Sequence, residues 1–87
     1  MEKYKKAYCN INKHNNPENL IIPKNGVSAM AVLSWMENCG TRNPIGLLYE
    51  YDEYYEIYLN YQYLYKDLMD FVNKKIEENE RTTGTPK

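Results

Sequence analysis

The stretch that most constrains the fold is 47–83, which contains neither proline nor glycine. Apolar and tyrosine side chains recur through it in alternating steps of four and three residues, a spacing typical of one face of a long helix. These positions are Leu47, Tyr51, Tyr54, Tyr58, Tyr61, Tyr65, Leu68 and Val72. Asn43-Pro44 just before the stretch is a helix start signal, because a capping side chain precedes a proline at the first helical position. The pattern predicts a helix from 44 to about 80.

The same stretch contains a competing pattern. Side chains also alternate with period two from Tyr55 to Tyr65, and tyrosine favours strands. A strand would require a turn between 47 and 72, and no Gly, Pro or Asn-Gly pair supplies one. We therefore favour the helix, with a break near Asn60 as the alternative. A continuous helix would span roughly 55 Å, whereas a compact domain of this size is about 30 Å across.

The first half of the chain predicts two shorter helices and an extended segment. A helical spacing of apolar side chains predicts a first helix over 2–12. Its positions are Tyr4, Ala7, Tyr8 and Ile11. The apolar residues at 20–22 precede Pro23, which favours extended geometry there. Ser28 is a suitable N-cap for an apolar helix over 28–39.

These elements predict a mainly α fold. A chain of 87 residues accommodates one domain at most. We expect a small three-helix domain over 1–81 with a long Tyr-rich third helix, followed by a disordered polar tail over 82–87. The sequence shows no apolar run of membrane-spanning length and no secretory signal, and its two cysteines form no CxxC pair. A cytoplasmic protein without a membrane segment is the expectation.

Charge is distributed unevenly although the net charge is only −1. Residues 1–24 carry five lysines against two glutamates. Residues 44–65 carry Glu50, Asp52, Glu53 and Glu56 and no lysine or arginine. The chain is therefore basic at its beginning and acidic in its middle, which favours two different kinds of partner for the two regions.

Catalytic chemistry is poorly supported. Cysteine or serine nucleophiles would need a base, and the single imidazole, His14, lies in an Asn-rich segment. Two separated thiols with one histidine do not make a zinc set, and the four glycines are too scattered for a phosphate-binding loop. We expect no enzymatic activity, no catalytic residues, no metal and no cofactor.

The tyrosines are the most distinctive candidates for function, since eight of the ten lie between 49 and 65. Tyrosine gives a large contact area at low rotamer cost, and together with carboxylates it suits recognition of a basic protein surface. The predicted partner-binding residues, on an acidic helix, are Tyr49, Glu50, Asp52, Glu53, Tyr55, Glu56 and Tyr63. By analogy of size and charge, the chain is a candidate phage or mobile-element inhibitor or adaptor that occupies the basic groove of a host nucleic-acid-binding protein or defence complex.

Two alternatives remain open. One is a structural homodimer whose helices meet through the tyrosine seam, with a self-association set of Tyr58, Tyr61, Tyr65, Leu68 and Val72. The other is a small DNA- or RNA-binding protein that contacts phosphates through Lys3, Lys5 and Lys6. Direct nucleic-acid binding is less favoured than a protein partner, because the acidic middle would repel phosphate.

Overall fold

Four antiparallel strands and two helices make up the computed structural model, which describes residues 6–24, 26–39 and 45–84, with side chains as far as 79. In chain order the elements are β1 (Tyr8–Ile11), β2 (Pro17–Pro23), α1 (Ala29–Glu37), β3 (Gly46–Glu50), β4 (Tyr54–Leu59) and α2 (Gln62–Gly84). The strands form one sheet in the order β1-β2-β4-β3. The architecture is α+β, with helices on one face of an antiparallel sheet.

The core lies between α2 and one face of the sheet. Leu20 pairs with Ile57, and Ile22 pairs with Tyr55, across the central strands β2 and β4. All four side chains are buried. Since opposed residues of an antiparallel pair share a face, this register directs them together onto the helix side. α2 covers them with an apolar stripe at helical spacing: Leu64, Tyr65, Leu68, Val72 and Ile76.

Tyr65 ties α2 to both central strands. Its ring is only 2% exposed. The hydroxyl donates to the carbonyl oxygen of Glu18 in β2 (2.9 Å) and accepts from the backbone N–H of Leu59 in β4 (2.8 Å). Burial raises the pKa of the phenol, so it stays protonated and able to donate. The hydroxyl thus satisfies a carbonyl oxygen of β2 and the N–H at the end of β4, shortly before α2 begins.

The middle helix predicted over 28–39 is confirmed as α1. Ser28 caps it, because its Oγ accepts from the backbone N–H of Ala31 (3.2 Å). Val32 is buried in the core, and the ring of Trp35 lies 6.4 Å from that of Phe71 on α2. The extended segment predicted at 20–22 is also present, as part of β2.

The predicted three-helix fold is wrong. In place of the first helix predicted over 2–12, the chain forms the strand β1. Residues 1–5 lie outside the described ranges. Asn12 closes the hairpin to β2, as its side-chain oxygen accepts from the N–H groups of His14 (2.8 Å) and Asn16 (3.1 Å). Asparagine favours such turns over helix interiors, which explains why the apolar spacing was misleading.

The long Tyr-rich, acidic helix predicted from 44 to about 80 is also wrong in its first half. Residues 46–59 form the β3–β4 hairpin, and α2 begins only at Gln62, close to the break considered near Asn60. The hairpin loop is Asp52-Glu53, closed by the hydrogen bond from Tyr51 N–H to the carbonyl oxygen of Tyr54 (2.9 Å). Among described non-glycine residues a positive φ occurs at Asn15 alone. The loop therefore needs no glycine, and the sequence there has no glycine, proline or Asn-Gly pair to mark the turn.

The ends of the predicted domain differ slightly from the observed elements. α2 continues to Gly84, into the segment predicted as a tail over 82–87, and residues 85–87 lie outside the described ranges. Neither of the two described helices combines the length and apolar character that a membrane crossing requires.

We predict that Tyr65→Phe lowers the free energy of unfolding by about 1–3 kcal/mol, because it leaves the buried N–H of Leu59 without its acceptor. Urea unfolding followed by circular dichroism measures the effect. Tyr63→Phe is the matched control, since Tyr63 is 69% exposed two residues earlier in the same helix. Equal stability of the two variants would show that the Tyr65 hydroxyl contributes nothing.

Candidate functional site

The sheet face opposite α2 is rich in tyrosine. Register places its side chains: Glu56 of β4 lies opposite Ile21 on one side and Tyr49 on the other, and Tyr58 lies opposite Leu47. We call this surface the tyrosine face; its side chains are Tyr8, Leu47, Tyr49, Tyr51, Tyr54, Glu56 and Tyr58, with Asn10, Asn19 and Ile21 between them. Its apolar and aromatic members at the β3 edge are exposed by 41–58%. Such a cluster exceeds the scattered apolar exposure of an ordinary surface.

Glu56 is the centre of a hydrogen-bond network on the tyrosine face. Its Oε1 accepts from the Tyr51 hydroxyl (3.0 Å), and its Oε2 accepts from the Tyr58 hydroxyl (2.7 Å) and the Asn19 side-chain amide. Asn19, which is buried, accepts in turn from the Asn10 side chain. Residues of β1, β2, β4 and the β3–β4 loop thereby hold one carboxylate in a fixed place.

The carboxylate changes the acidity of its phenol partners. Its hydrogen bond raises the pKa of Tyr51, with smaller contributions from burial and from the Glu56 charge. The hydrogen bond to Glu56 likewise raises the pKa of Tyr58, and the Asn19 amide partly opposes it. Both phenols are therefore kept protonated as donors to Glu56 over the neutral pH range.

A shallow recess of about 360 Å³ opens beside Glu56. Its lining consists of Leu47, Tyr49, Tyr51, Glu56 and Tyr58. The rings of Tyr49 and Tyr58 meet edge to face, with centroids 5.8 Å apart and planes at 87°. The ring of Tyr51 stacks on that of Tyr54, with centroids 4.9 Å apart and an angle of 25° between the ring planes. These contacts hold the aromatic walls in place before any ligand arrives.

Three more carboxylates lie around the β3–β4 loop. Glu50 pairs with the Lys24 ammonium (2.6 Å), and this hydrogen bond raises the pKa of Lys24. Asp52 and Glu53 form the loop itself and are exposed. The rim of the tyrosine face is consequently acidic at this end, with Glu50 already partly neutralised.

The structure brings together only part of the predicted partner-binding set. Tyr49 and Glu56 lie on the tyrosine face, and Glu50, Asp52 and Glu53 lie at its rim. The other two are elsewhere: the Tyr55 ring is buried in the core, and Tyr63 is exposed on α2, its ring 6.0 Å from that of Tyr61. Their common assignment to one acidic helix was wrong because the chain there forms two strands and a separate helix.

The structure also separates the residues predicted for self-association, and it describes only one of the three lysines predicted to contact nucleic acid. Tyr65, Leu68 and Val72 are buried in the core of the chain itself, so contact with a second copy through them would require that core to open. Tyr58 lies on the tyrosine face, and Tyr61 is exposed between β4 and α2. Of the proposed nucleic-acid contacts, Lys6 is exposed, whereas Lys3 and Lys5 lie outside the described residues.

Sequence reasoning missed several residues of the site. Leu47, Tyr51 and Tyr58 were assigned to a helical seam, and Asn10 and Asn19 were not considered. The available signal was period-two alternation: Tyr54, Glu56 and Tyr58 alternate on β4 with three buried residues. The asparagines carried no signal, because their role depends on the pairing of β1, β2 and β4.

The titratable and aromatic side chains of the described residues limit the chemistry that the site can perform. No three His, Cys, Asp or Glu side chains among them are grouped closely enough to hold a metal ion. Cys9 and Cys39 are free and half-buried, and burial raises the pKa of both thiols, which disfavours the nucleophilic thiolate. The tyrosine face offers aromatic surface, a fixed carboxylate and an acidic rim.

Comparisons with protein-family models, with curated proteins and with solved structures find no match to this chain.

We predict that Glu56→Gln lowers the apparent pKa of Tyr51 and Tyr58, because it weakens the hydrogen bonds that they donate to the carboxylate and also removes the charge that opposes phenolate formation. In the native chain the two midpoints should lie above the ordinary value of 10.0. Their hydrogen bonds thus stabilise the fold below pH 10 and are lost as pH rises through the elevated pKa values. Titration of the tyrosine ¹³Cζ resonances measures this, and Glu77→Gln on the exposed side of α2 is the control. Unchanged midpoints in Glu56→Gln would contradict the network.

Proposed function

We propose that this chain is a non-catalytic binding module that recognises a basic surface of a protein partner through the tyrosine face. The observation that carries the proposal is a carboxylate fixed at the centre of an exposed aromatic surface. Glu56 accepts three hydrogen bonds from neighbouring side chains and still borders an open recess. A negative charge held in this way favours a positively charged partner.

The aromatic side chains support protein recognition on energetic grounds. Tyrosine has few rotatable bonds, so ordering it at an interface costs little entropy relative to the area it buries. Tyr49, Tyr51 and Tyr58 are already held by ring contacts or hydrogen bonds in the free chain. Preorganisation of this kind increases affinity because less freedom is lost on binding.

Charge complementarity supports a basic partner. No lysine or arginine occurs among the paired residues of the four strands, and Asp52 and Glu53 add negative charge at the rim of the tyrosine face. A basic surface is attracted by this arrangement, and such a surface occurs in the grooves of nucleic-acid-binding proteins. The face would then occupy the groove with carboxylates in place of phosphates and tyrosines in place of bases.

Single-stranded nucleic acid is the second candidate. Exposed aromatic side chains on an antiparallel sheet can stack with unpaired bases, and several RNA-binding modules are built in this way. Here the stacking surface surrounds a carboxylate, which repels the phosphates that supply most nucleic-acid affinity. The protein partner is therefore favoured, and the oligonucleotide becomes an arm of the test.

We predict that ¹⁵N-labelled protein binds a short arginine- and lysine-rich peptide with amide shift changes on β3 and β4. Binding should weaken with added salt, because exposed charges are screened. A peptide with glutamate in place of each basic residue, and a short single-stranded oligothymidylate, should cause no such changes. Binding of either at comparable strength would overturn the proposal, the latter in favour of nucleic acid.

Two double variants test the acidic rim. Asp52→Asn with Glu53→Gln should weaken binding of the basic peptide roughly two- to fivefold, as expected for exposed charges. Glu77→Gln with Glu78→Gln removes the same charge from the exposed side of α2 and should leave affinity unchanged. An equal loss in both would indicate attraction to net charge without a defined surface.

A further inference from the structure

We infer that the recess beside Glu56 binds the guanidinium group of a single arginine side chain from the partner. The inference rests on the proposed function and assigns its central contact. Three properties of the recess carry it: the aromatic walls, the orientation of the polar atoms and the apolar side provided by Leu47.

The aromatic walls provide surfaces on which a planar cation can stack. The Tyr51 ring stacks on the Tyr54 ring, with centroids 4.9 Å apart, yet Tyr51 remains 43% exposed and lines the recess. Tyr49 and Tyr58 stand at 87° to one another, so together they present a ring face and a ring edge. A cation over a tyrosine face is attracted by the quadrupole of the ring, and arginine makes this contact more often than lysine.

Apart from the Tyr49 hydroxyl, which can donate as well as accept, the polar atoms of the recess are arranged as acceptors. Each phenol has one hydrogen, and those of Tyr51 and Tyr58 are committed to Glu56. The phenol oxygens retain lone pairs, and the carboxylate retains about one of its roughly four acceptor positions. A guanidinium has five N–H donors and no acceptor, so its needs match what the recess offers. An anion would meet oxygen lone pairs and a negative charge.

The apolar side of the recess favours guanidinium over ammonium. Leu47 is 58% exposed and lines the recess with the tyrosine rings. Contact with them strips water from a bound cation, which costs more for the strongly hydrated ammonium of lysine than for the weakly hydrated guanidinium. Trimethylated lysine is also weakly hydrated, but it has no N–H group to donate to the phenol oxygens.

The test compares peptides that differ at one position. A mildly basic carrier peptide contains arginine, lysine, trimethyl-lysine or citrulline at its centre, and citrulline is the neutral isostere of arginine. Dissociation constants come from calorimetry, and aromatic ¹³C shifts locate the contact. The arginine peptide should bind roughly tenfold tighter than the citrulline peptide and shift the Tyr49, Tyr51 and Tyr58 rings. Lysine and trimethyl-lysine should rank between them.

Two variants connect this preference to the recess. Glu56→Gln should reduce the arginine-over-citrulline ratio to about twofold or less, because the fixed charge is gone. Tyr49→Leu keeps the Glu56 hydrogen bonds and should reduce the ratio roughly threefold by removing a ring. Tyr63→Leu, the same replacement at an exposed tyrosine of α2, should leave the ratio unaltered. If Glu56→Gln fails to fold, Tyr49→Leu and the citrulline comparison decide.

The outcomes separate this inference from the proposed function. Equal affinity for arginine and citrulline peptides, with salt-sensitive binding of both, overturns the recess and leaves the basic-partner proposal standing. Tighter binding of lysine or trimethyl-lysine overturns the assignment to guanidinium. Absence of binding by every basic peptide overturns both. Aromatic shifts confined to Tyr61 and Tyr63 would place the contact on a different surface and also overturn the recess.

Discussion

The pairing of β2 with β4 determines which side chains of both strands face the helices and which face away. Leu20 opposite Ile57 and Ile22 opposite Tyr55 direct four large side chains toward α2. Because side chains alternate along a strand, the same register places Ile21 and Glu56 on the other face. A slip of one residue would move Glu56 into the core, where an unpaired carboxylate is costly. The contacts of the Tyr65 hydroxyl with Glu18 and Leu59 hold the junction between these strands and the helix.

The elements that could be predicted from sequence are those with local signals. α1 was predicted because Ser28 caps an apolar helical spacing, and the extended residues before Pro23 were predicted because proline restricts its neighbour. The β3–β4 hairpin could not be predicted in this way. Its residues satisfy both the helical and the period-two pattern, and its Asp52-Glu53 loop contains no glycine, no proline and no Asn-Gly or Asp-Gly pair. Long-range pairing decided between two locally acceptable structures.

The candidate site was predicted in composition but not in geometry. Several of the tyrosines and carboxylates that are dense between 49 and 65 lie on the tyrosine face or at its rim. A helix would have separated Tyr51 from Tyr58 by two turns, whereas the hairpin brings both hydroxyls to Glu56. Asn19 reaches the same carboxylate from a strand 37 residues earlier in the chain, a contact that no local pattern encodes. The assignment of Tyr55 to the binding surface failed for the same reason, since alternation places it in the core.

Because side chains alternate along β4, its six residues fall into two groups that are under different constraints. Tyr55, Ile57 and Leu59 are constrained by packing, whereas Tyr54, Glu56 and Tyr58 contribute nothing to the helix-side core. Substitutions in the second group can change what the surface attracts while the first group continues to specify the fold. The hydrogen bonds that Tyr51 and Tyr58 donate to Glu56 restrict these substitutions, because a change at Glu56 alters the environment of both phenols at once. We therefore expect Tyr51, Glu56 and Tyr58 to be replaced together when this surface changes, while the backbone of the strand stays the same.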